Sequence, residues 1–272
     1  MKPVLKWVGG KTQLLKDITL HLPKEYNDYY EAFIGGGAVC FNLAPQNAHI
    51  NDFNAELVNL YKVIKKSPKK LIASLKKHEN TEEYFYNIRG LDRDKEAYAK
   101  LSDVDRASRI VYLNKTCYNG LYRVNSNGEY NAPFGRYKNP LICDEANILE
   151  LSKYFNEANV KITNLDFAKA VKDAKAGDFV YLDPPYDPVT PTAAFTSYNA
   201  NGFNRAEQVR LKELCDDLTA RGVKWMLSNS ATDFILDLYK DYRIVIVKAN
   251  RCINSKGDSR GKVDEVLVMN YE

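Results

Sequence analysis

Residues Phe179 to Pro188 read FVYLDPPYDP, and their types and order suit the binding of a planar amine. Four residues typical of a buried strand lead directly into Asp183, Pro184, Pro185 and Tyr186. Proline fixes φ and lacks an N–H, so the Pro184 carbonyl can face a pocket beside the Asp183 carboxylate. These two acceptors match the two hydrogens of an exocyclic amine, and the Tyr186 ring offers a face for base stacking. The stretch predicts a site for a flipped-out adenine, and the alternative is a proline-stiffened turn with a solvated aspartate.

A glycine-rich turn and an acidic residue are suited to a nucleoside-containing cofactor. Phe33-Ile34-Gly35-Gly36-Gly37 follows a short predicted strand and opens a predicted helix. Glycine lets the backbone approach a ligand closely, and such a turn before a helix suits a nucleotide. Asp52 ends the next predicted strand, where a carboxylate can accept hydrogen bonds from ribose hydroxyls. A plain tight turn, and an Asp52 that caps the following helix with Asn54 as a rival cap, remain the alternatives.

The segment Trp7-Val8-Gly9-Gly10-Lys11 lies just before a predicted helix. Its spacing does not match the GxxxxGK[ST] pattern of a phosphate-binding loop, which argues against an ATPase. Lys11 could hold a carboxylate, while Trp7 could form a wall of a pocket.

These residues are positioned by an α/β alternation that is interrupted once. Strands and helices alternate up to about residue 54 and again from about residue 159, which predicts a nucleotide-binding α/β sheet. Between them the chain is mostly helical and charged, then rich in turns, and Ser126-Asn127-Gly128 indicates a β-hairpin. We therefore predict a catalytic domain from residues 1–54 and 159–272, with an insertion at 55–158. The last two strands could pair antiparallel.

Composition excludes several classes of protein. The 272 residues, 45% of them hydrophobic, contain no apolar run of the length needed to span a membrane. The N-terminus lacks the apolar region of a signal peptide. The five cysteines and three histidines are scattered without metal-ligand spacing, so we expect no metal and a reducing, cytoplasmic location. A net charge of +4 permits an anionic partner without requiring one.

Several motifs, taken in order, resemble one family of enzymes. They are WVGGK, EAFIGGGA, INDFNAEL, CYNGLYRVN, APFGRYKNP, NLDF, FVYLDPPY and AFTSY, and they extend over nearly the whole chain. In this order they resemble the Dam-type DNA adenine-N6 methyltransferases, and most of all the members that modify GATC, including those of restriction systems. The resemblance implies a Rossmann-like, S-adenosylmethionine-dependent methyltransferase sheet with a target-recognition insertion.

The resemblance also assigns roles to the residues that match these motifs. The S-adenosylmethionine site would include Trp7, Lys11, Phe33, Gly35, Gly37, Asp52, Asp166, Phe167 and Asp183. Within it, Lys11 would lie near the methionine carboxylate and Asp52 on the ribose, while Asp166 and Phe167 would contact the adenine of the cofactor. Asp166 could also cap the following helix, and both roles can hold.

Catalysis would need no metal and no covalent enzyme intermediate. Hydrogen bonds from N6 to Asp183 and to the Pro184 carbonyl would free the nitrogen lone pair for direct, in-line methyl transfer, leaving S-adenosylhomocysteine. The chain has no Pro-Cys pair, which argues against a cytosine-C5 methyltransferase. The alternatives left open are an RNA or protein-glutamine methyltransferase, because both classes also carry [DN]PPY, and a non-catalytic DNA-binding relative.

The predicted partner is double-stranded DNA. Arg123 is the residue expected to read a base, since arginine can donate two hydrogen bonds to guanine. The resemblance adds further DNA-binding positions, namely Tyr118, Asn119, Leu121, Pro133, Tyr137, Lys138 and, beside the flipped nucleotide, Tyr198. The alternative for Leu121 and Pro133 is a structural role in a hairpin. A cognate restriction endonuclease that acts on the same site without a stable complex is a further partner that the resemblance allows.

Overall fold

The structure, a computed structural model, describes residues 1–189, 203–250 and 262–272. Its α-helices are α1 (Leu15–Leu20), α2 (Ala38–Leu43), α3 (Ala55–Lys66), α4 (Pro68–Leu75), α5 (Glu82–Gly90), α6 (Lys95–Ala99), α7 (Asp103–Thr116), α8 (Glu145–Glu157), α9 (Phe167–Ala170), α10 (Arg205–Ala220) and α11 (Asp233–Leu238). Its strands are β1 (Tyr29–Glu31), β2 (Asn47–Asn51), β3 (Asn159–Thr163), β4 (Phe179–Leu182), β5 (Lys224–Ser230), β6 (Arg243–Asn250) and β7 (Lys262–Met269). Short 3₁₀ turns occur at Lys11–Gln13, Leu91–Arg93 and Tyr118–Gly120. In the described part of the chain, no helix has the length and apolarity needed to cross a membrane.

The chain forms two compact units. The first comprises Met1–Gly10, Gly35–Gln46 and Asp52–Asn164, and the second comprises Lys11–Ile34, Asn47–Asn51 and Leu165–Glu272. The first unit contains the whole of the predicted insertion at 55–158, together with Trp7 and the three glycines Gly35, Gly36 and Gly37, whereas Lys11 and Phe33 belong to the second. The second contains the strand that ends at Asp183.

A mixed seven-stranded sheet is present among the described residues. Six of its strands belong to the second unit, in the order β2-β1-β4-β5-β7-β6, and β3 belongs to the first. Strand β1 pairs in parallel with both β2 and β4, and β4 pairs in parallel with β5. Strand β7 is antiparallel to β5 and to β6, so the prediction that the last two strands pair antiparallel is confirmed.

The strand order creates a switch point at the carboxyl ends of the central strands β1 and β4. The chain passes from β1 to β2 on one side, whereas β4 lies on the other side of β1. In open α/β sheets, ligands bind beyond the carboxyl ends of the strands at such a switch point. Phe33 follows β1 and Asp183 follows β4, so both lie at this end of the sheet.

Burial on both faces explains the apolar run that precedes Asp183. All four residues of β4 are fully buried. Val180 and Leu182 belong to a core that includes Trp225 and Leu227 of β5 and Leu211 and Leu218 of α10, among others. A parallel strand covered on both faces has no polar side, so it reads as a continuous hydrophobic run. The one polar atom on these four side chains, the Tyr181 hydroxyl, lies 2.7 Å from Ser228 Oγ.

The first unit is built mainly from helices. Helix α3 buries Leu57, Leu60, Tyr61 and Ile64 along one face, as an amphipathic helix should, and it packs on α7 and α8. His78 stacks on Tyr112 at 4.4 Å and is within hydrogen-bond distance of Tyr84 and Ser108. Burial lowers the His78 pKa to about 4, so this histidine is a neutral packing residue.

Candidate functional site

Asp183 lies at the carboxyl end of β4 and forms an ion pair with Lys11. Lys11 Nζ is 2.7 Å from Asp183 Oδ1, and the lysine side chain is only 5% exposed against 18% for the aspartate. The same ammonium lies 4.6 Å from the centroid of the Tyr186 ring, a cation–π distance. The Tyr186 hydroxyl donates a hydrogen bond to Glu265 Oε2 at 2.8 Å. The second unit therefore brings together Lys11, Asp183 and Tyr186, as predicted, and adds Glu265.

The electrostatics of this centre leave Asp183 easier to protonate than an ordinary carboxylate. Burial raises its pKa to about 6, Lys11 opposes the shift, and the negative charge of Glu265 adds to it. Burial also raises the pKa of Tyr186 well above its usual value. At neutral pH Asp183 is thus ionised and Tyr186 keeps its proton, which gives one strong acceptor and one uncharged ring.

Hydrogen bonds fix the turn that follows Asp183. The Pro185 carbonyl accepts a bond from Gln208 Nε2 at 2.8 Å, and Gln208 Oε1 accepts one from Asn229 Nδ2 at 3.1 Å. Buried Asp187 accepts bonds from Arg205 and from Thr232 Oγ1, and its own N–H donates to Asn229 Oδ1. Pro184 lies between these anchored residues and is itself buried. The two-proline turn is therefore held from α10 and β5 as well as by its own fixed φ angles.

Three phenylalanines cluster where Phe33 leaves β1. The Phe33 ring lies 5.4 Å from Phe167 and 5.7 Å from Phe203. Arg210 covers Phe167, with its guanidinium carbon 3.9 Å from the ring centroid. The structure thus brings together Phe33 and Phe167, both predicted as site residues, and adds Phe203 and Arg210 as neighbours.

Asp166 caps a helix and forms an ion pair. Its Oδ1 accepts a hydrogen bond from the Ala168 N–H at 3.0 Å, which confirms the predicted cap on α9. Arg210 donates to both carboxylate oxygens, at 3.1 and 2.7 Å, and holds the Asp166 pKa below its usual value. Asp166 remains an acceptor at every physiological pH.

In the first unit, the glycine turn is tied to Asp52. The Gly35 N–H donates to Asp52 Oδ2 at 2.9 Å, and the Gly35 carbonyl accepts a bond from the Tyr61 hydroxyl at 2.6 Å. Gly35 has φ +48°, and a Cβ there would lie 2.9 Å from the Trp7 ring. Trp7 in turn stacks on Tyr122, with centroids 4.9 Å apart. Glycine is therefore required at this position by both backbone conformation and the approach of Trp7.

Asp52 is a half-buried acceptor rather than a helix cap. Asn54 caps α3 by accepting a bond from the Leu57 N–H at 3.1 Å. The second oxygen of Asp52 accepts the Asn54 N–H at 2.8 Å. Burial raises the Asp52 pKa, and the backbone donors around it oppose that shift. Asn54, and not Asp52, is therefore the N-cap of α3.

Gly37 serves the entry into α2. It is the N-cap residue with φ +78°, and a Cβ there would lie 2.3 Å from the Phe41 ring. This contact is a packing reason for glycine, separate from any ligand.

The predicted DNA-binding residues lie on the segment between α7 and α8. Tyr118 is 56% exposed, and the next residue, Asn119, has a left-handed backbone with φ +58°. The Asn119 N–H donates to the Tyr137 hydroxyl at 3.0 Å, and the Tyr118 N–H donates to the Pro133 carbonyl at 2.8 Å. The structure thus brings together these four residues, with the Tyr118 ring facing solvent.

Arg123 is exposed, and its guanidinium group donates two hydrogen bonds to Asn131. Its Nε donates to Asn131 Oδ1 at 2.7 Å and one terminal nitrogen donates to the Asn131 carbonyl at 3.1 Å. Val124 and Tyr130 form an isolated antiparallel bridge around the Ser126–Gly128 turn. The Leu121 carbonyl accepts the Tyr130 hydroxyl at 2.9 Å, which places Leu121 in the packing of this segment. Lys138 is exposed, and Tyr198 lies outside the described residues.

A buried ion pair supports the same segment from the helices. Asp92 and Arg109, each about 5% exposed, are 2.8 Å apart. Asp92 also accepts the Tyr130 N–H at 2.7 Å, and Arg93 donates to the Tyr130 carbonyl at 2.7 Å. These side chains satisfy backbone groups that a short bridge leaves without sheet partners.

Sequence reasoning missed Glu265, Arg210, Asn229 and Gln208. Glu265 had a detectable signal, since it directly precedes the apolar end of β7, Val266 to Met269. Gln208 and Arg210 lie on α10, which is rich in charged residues, so nothing in the local sequence distinguishes them. Among the described residues, no group of three or more His, Cys, Asp or Glu could hold a metal ion.

Comparison with known proteins gives a consistent set of matches. A family model for D12 class N6 adenine-specific DNA methyltransferases matches residues 7–253. The type II methyltransferase M1.LlaDCHI of Lactococcus lactis subsp. cremoris is 49% identical over 273 residues, covering 100% of this chain and 96% of that protein. M.MjaIII of Methanocaldococcus jannaschii is 43% identical, over 100% of this chain and 99% of its own. The DNA adenine methylase of Escherichia coli K12 is 35% identical, over 97% and 94% respectively.

Proposed function

Because the chain belongs to the D12 class of N6 adenine-specific DNA methyltransferases, we propose that it methylates N6 of adenine in double-stranded 5'-GATC-3' sites, with S-adenosylmethionine as the methyl donor. The observation that carries the proposal is the partly exposed Asp183 carboxylate at the sheet switch point, paired with Lys11 and followed by an anchored Pro-Pro-Tyr turn. The preference for GATC rests on the resemblance of the motifs, and the chemistry rests on the residues around Asp183.

The residues of this turn suit the activation of an exocyclic amine. In adenine the N6 lone pair is delocalised into the ring, so the amine is a poor nucleophile. Asp183 and the Pro184 carbonyl would accept the two N6 hydrogens and draw the nitrogen towards a tetrahedral geometry. The Tyr186 ring would stack on the flipped base, since its hydroxyl is held by Glu265. The amine would then attack in line, without a covalent bond to the enzyme.

The chemistry of the predicted cofactor residues fits S-adenosylmethionine. When bound, it supplies a methyl group on a positively charged sulfur. Lys11 and Asp183 offer one cation and one anion, which match the carboxylate and the amino group of its methionine end. Asp52 keeps acceptor capacity for ribose hydroxyls although both its oxygens already hold backbone N–H groups. Asp166, held ionised by Arg210, suits an adenine amino group.

The segment from Tyr118 to Lys138 would recognise the DNA sequence. We assign residues 55–158 to target recognition, with 1–54 and 159–272 as the catalytic part. Arg123 would exchange its bonds to Asn131 for guanine O6 and N7, worth about 1–3 kcal/mol of discrimination. Tyr118 would wedge into the duplex because its ring is exposed on a constrained turn. A cognate restriction endonuclease is a further proposed partner, since two of the relatives are named type II methyltransferases.

The test is methylation-sensitive sequencing of plasmid DNA from an adenine-methylation-deficient host that expresses this chain. We expect N6-methyladenine confined to GATC, and its loss in an Asp183→Ala variant that still binds DNA. Methyladenine in another motif would keep the chemistry and overturn the GATC assignment. Unchanged methylation by Asp183→Ala would overturn the proposed role of the carboxylate.

Replacing Arg123 tests the recognition assignment. Arg123→Ala should lose about 10- to 150-fold in preference for GATC over sites with one guanine changed, with S-adenosylmethionine affinity unchanged. Arg136→Ala is the matched control, because Arg136 is equally exposed in the same segment and pairs with Glu82 on the surface. Measured kcat/KM on single-base variants decides the matter, and equal loss of preference in both variants would make Arg123 the wrong residue.

A further inference from the structure

Seven lysines are concentrated in one short stretch of the first unit. Lys62, Lys65, Lys66, Lys69, Lys70, Lys76 and Lys77 lie in a run from residue 57 to residue 78 that contains no acidic residue. The chain has 39 Lys and Arg against 35 Asp and Glu. Without these seven, the remaining 32 basic residues would be fewer than the 35 acidic residues. The net positive charge of the chain therefore depends on this stretch.

The structure leaves most of these charges in solvent. The seven lysines are distributed from the second half of α3 to the residues just after α4. Lys65 is half-buried, and its Nζ donates a hydrogen bond to the Val160 carbonyl at 2.6 Å. Lys76 is exposed and pairs with Glu145. The others are exposed and form no salt bridge within the described part of the chain; we call them the lysine surface (Lys62, Lys66, Lys69, Lys70 and Lys77).

The lysines at the end of α3 suit the dipole of that helix, but those at the start of α4 are not favoured by folding alone. Lys69 and Lys70 lie in the first turn of α4, which contains no acidic residue, where the helix dipole disfavours positive charge. Lys66 is at the end of α3, directly before the Ser67 and Pro68 that start α4, so these like charges also repel one another. A polyanionic partner would offset both effects.

The lysine surface leads into the recognition segment. After α4 ends, Asn80 Nδ2 donates to the Tyr137 carbonyl at 2.7 Å and lies 3.5 Å from the Lys138 carbonyl. Helix α4 has 8 residues and is therefore about 12 Å long. That length corresponds to several phosphates of a DNA duplex, which carries one charge per about 1.7 Å of axis.

We propose that the lysine surface binds the phosphates of duplex DNA that flanks the methylated site. The proposal rests on the proposed function for its substrate and adds a second, sequence-independent contact region. Single-stranded nucleic acid is the less suitable ligand, because it is bound by stacking on aromatic residues and no Phe, Tyr or Trp occurs from Lys62 to Lys77. Phosphate contacts of this kind raise affinity for all sequences equally.

The test compares two triple variants of the full chain. Lys66→Gln/Lys69→Gln/Lys70→Gln removes three charges of the lysine surface. Lys172→Gln/Lys175→Gln/Lys224→Gln removes three exposed charges at the amino ends of β4 and β5, opposite the end that carries Asp183. Both variants and the unmodified chain are titrated with a fluorescent duplex that lacks GATC, between about 50 and 200 mM salt.

We expect the slope of log K against log salt to fall by about 2–3 in the first variant and to stay unchanged in the control. Equal slopes in all three proteins would overturn the proposal. So would a slope change seen with single-stranded RNA but not with duplex DNA. Thermal unfolding guards against misfolding, and the first variant should melt no lower than the unmodified chain because it loses like-charge repulsion.

Methylation by the same variants separates this proposal from the proposed function. On a short duplex that ends just beyond GATC the first variant should match the control, whereas on long DNA its KM should rise several-fold with kcat unchanged. If the unmodified chain methylates no DNA while the slopes differ as expected, the proposed function fails and the lysine surface stands. If methylation is normal and the slopes are equal, the lysine-surface proposal fails and the proposed function stands.

Discussion

At the scale of single residues, Asp183 must be ionised to accept a hydrogen bond from an amine. Its pKa is raised to about 6, so the carboxylate is lost as the pH falls through that value. We expect kcat/KM for duplex DNA to be level above about pH 7 and to fall tenfold per pH unit well below 6. The pH–rate profile of single-turnover methyl transfer measures this. A profile level down to pH 4.5 would contradict the assignment.

The charge of Glu265 offers a way to move that profile. Glu265 raises the Asp183 pKa, and Glu265→Gln removes the charge while still accepting the Tyr186 hydroxyl. The acid limb should therefore move to lower pH in Glu265→Gln. The neighbouring, exposed Asp264 provides the control, and Asp264→Asn should leave the limb in place. A limb that stays near pH 6 in both variants would exclude electrostatic coupling between Glu265 and Asp183.

The sign of the same shift bears on folding. The folded state holds the Asp183 proton more tightly than the unfolded chain does, so this group favours folding below about pH 4 and progressively less as the pH rises through 6. A stability penalty at neutral pH is thus built into this site.

Sequence predicted the residues that a local motif defines and missed those that tertiary structure supplies. Asp183, Lys11 and Asp52 stand within short, ordered motifs, and each lies where its strand or turn leads it. Glu265 and Arg210 reach the same neighbourhoods from elements far along the chain. Their roles depend on strand order and helix register, which no local pattern contains.

At the scale of elements, α2 begins at a glycine that its own helix requires. Gly37→Ala would force a left-handed backbone on alanine and press its Cβ into Phe41. We expect a loss of roughly 2–4 kcal/mol of unfolding free energy from strain and overpacking combined. Gly128→Ala shares the positive φ, at +75°, but meets open space, so it should lose about 1–2 kcal/mol. Urea unfolding of both variants measures the difference, and equal losses would contradict the packing argument.

Element types were predictable because burial leaves a clear pattern in this chain. The apolar runs before Asp183 and in β5, β6 and β7 all form strands, and helix α3 begins at Ala55, directly after its N-cap Asn54. The sequence also predicts a helix near residues 167–175, but α9 ends at Ala170. Asp178, which accepts the Lys175 N–H at 3.0 Å, anchors the turn that replaces its last part.

At the scale of the whole molecule, sequence defined the α/β class but not how the chain divides. The predicted boundaries follow changes in composition, whereas the two compact units follow contacts in space. Short segments such as Asn47–Asn51 and Gly35–Gln46 belong to different units although they are adjacent along the chain. A strand and the turn before it can share composition and still pack against different neighbours, so composition alone does not separate them.

Strand β7 has a consequence for synthesis on the ribosome. It lies between β5 and β6, yet it follows both in the chain, and Asn270 just after it accepts the Trp225 N–H. Until β7 emerges from the exit tunnel, β5 and β6 each expose an unpaired edge that invites aggregation. Nascent chains stalled before residue 262 should bind chaperones and be cleaved readily by protease, and chains in which β7 has fully left the tunnel should resist both. Protection already present in the shorter chains would show that β5 and β6 are shielded some other way.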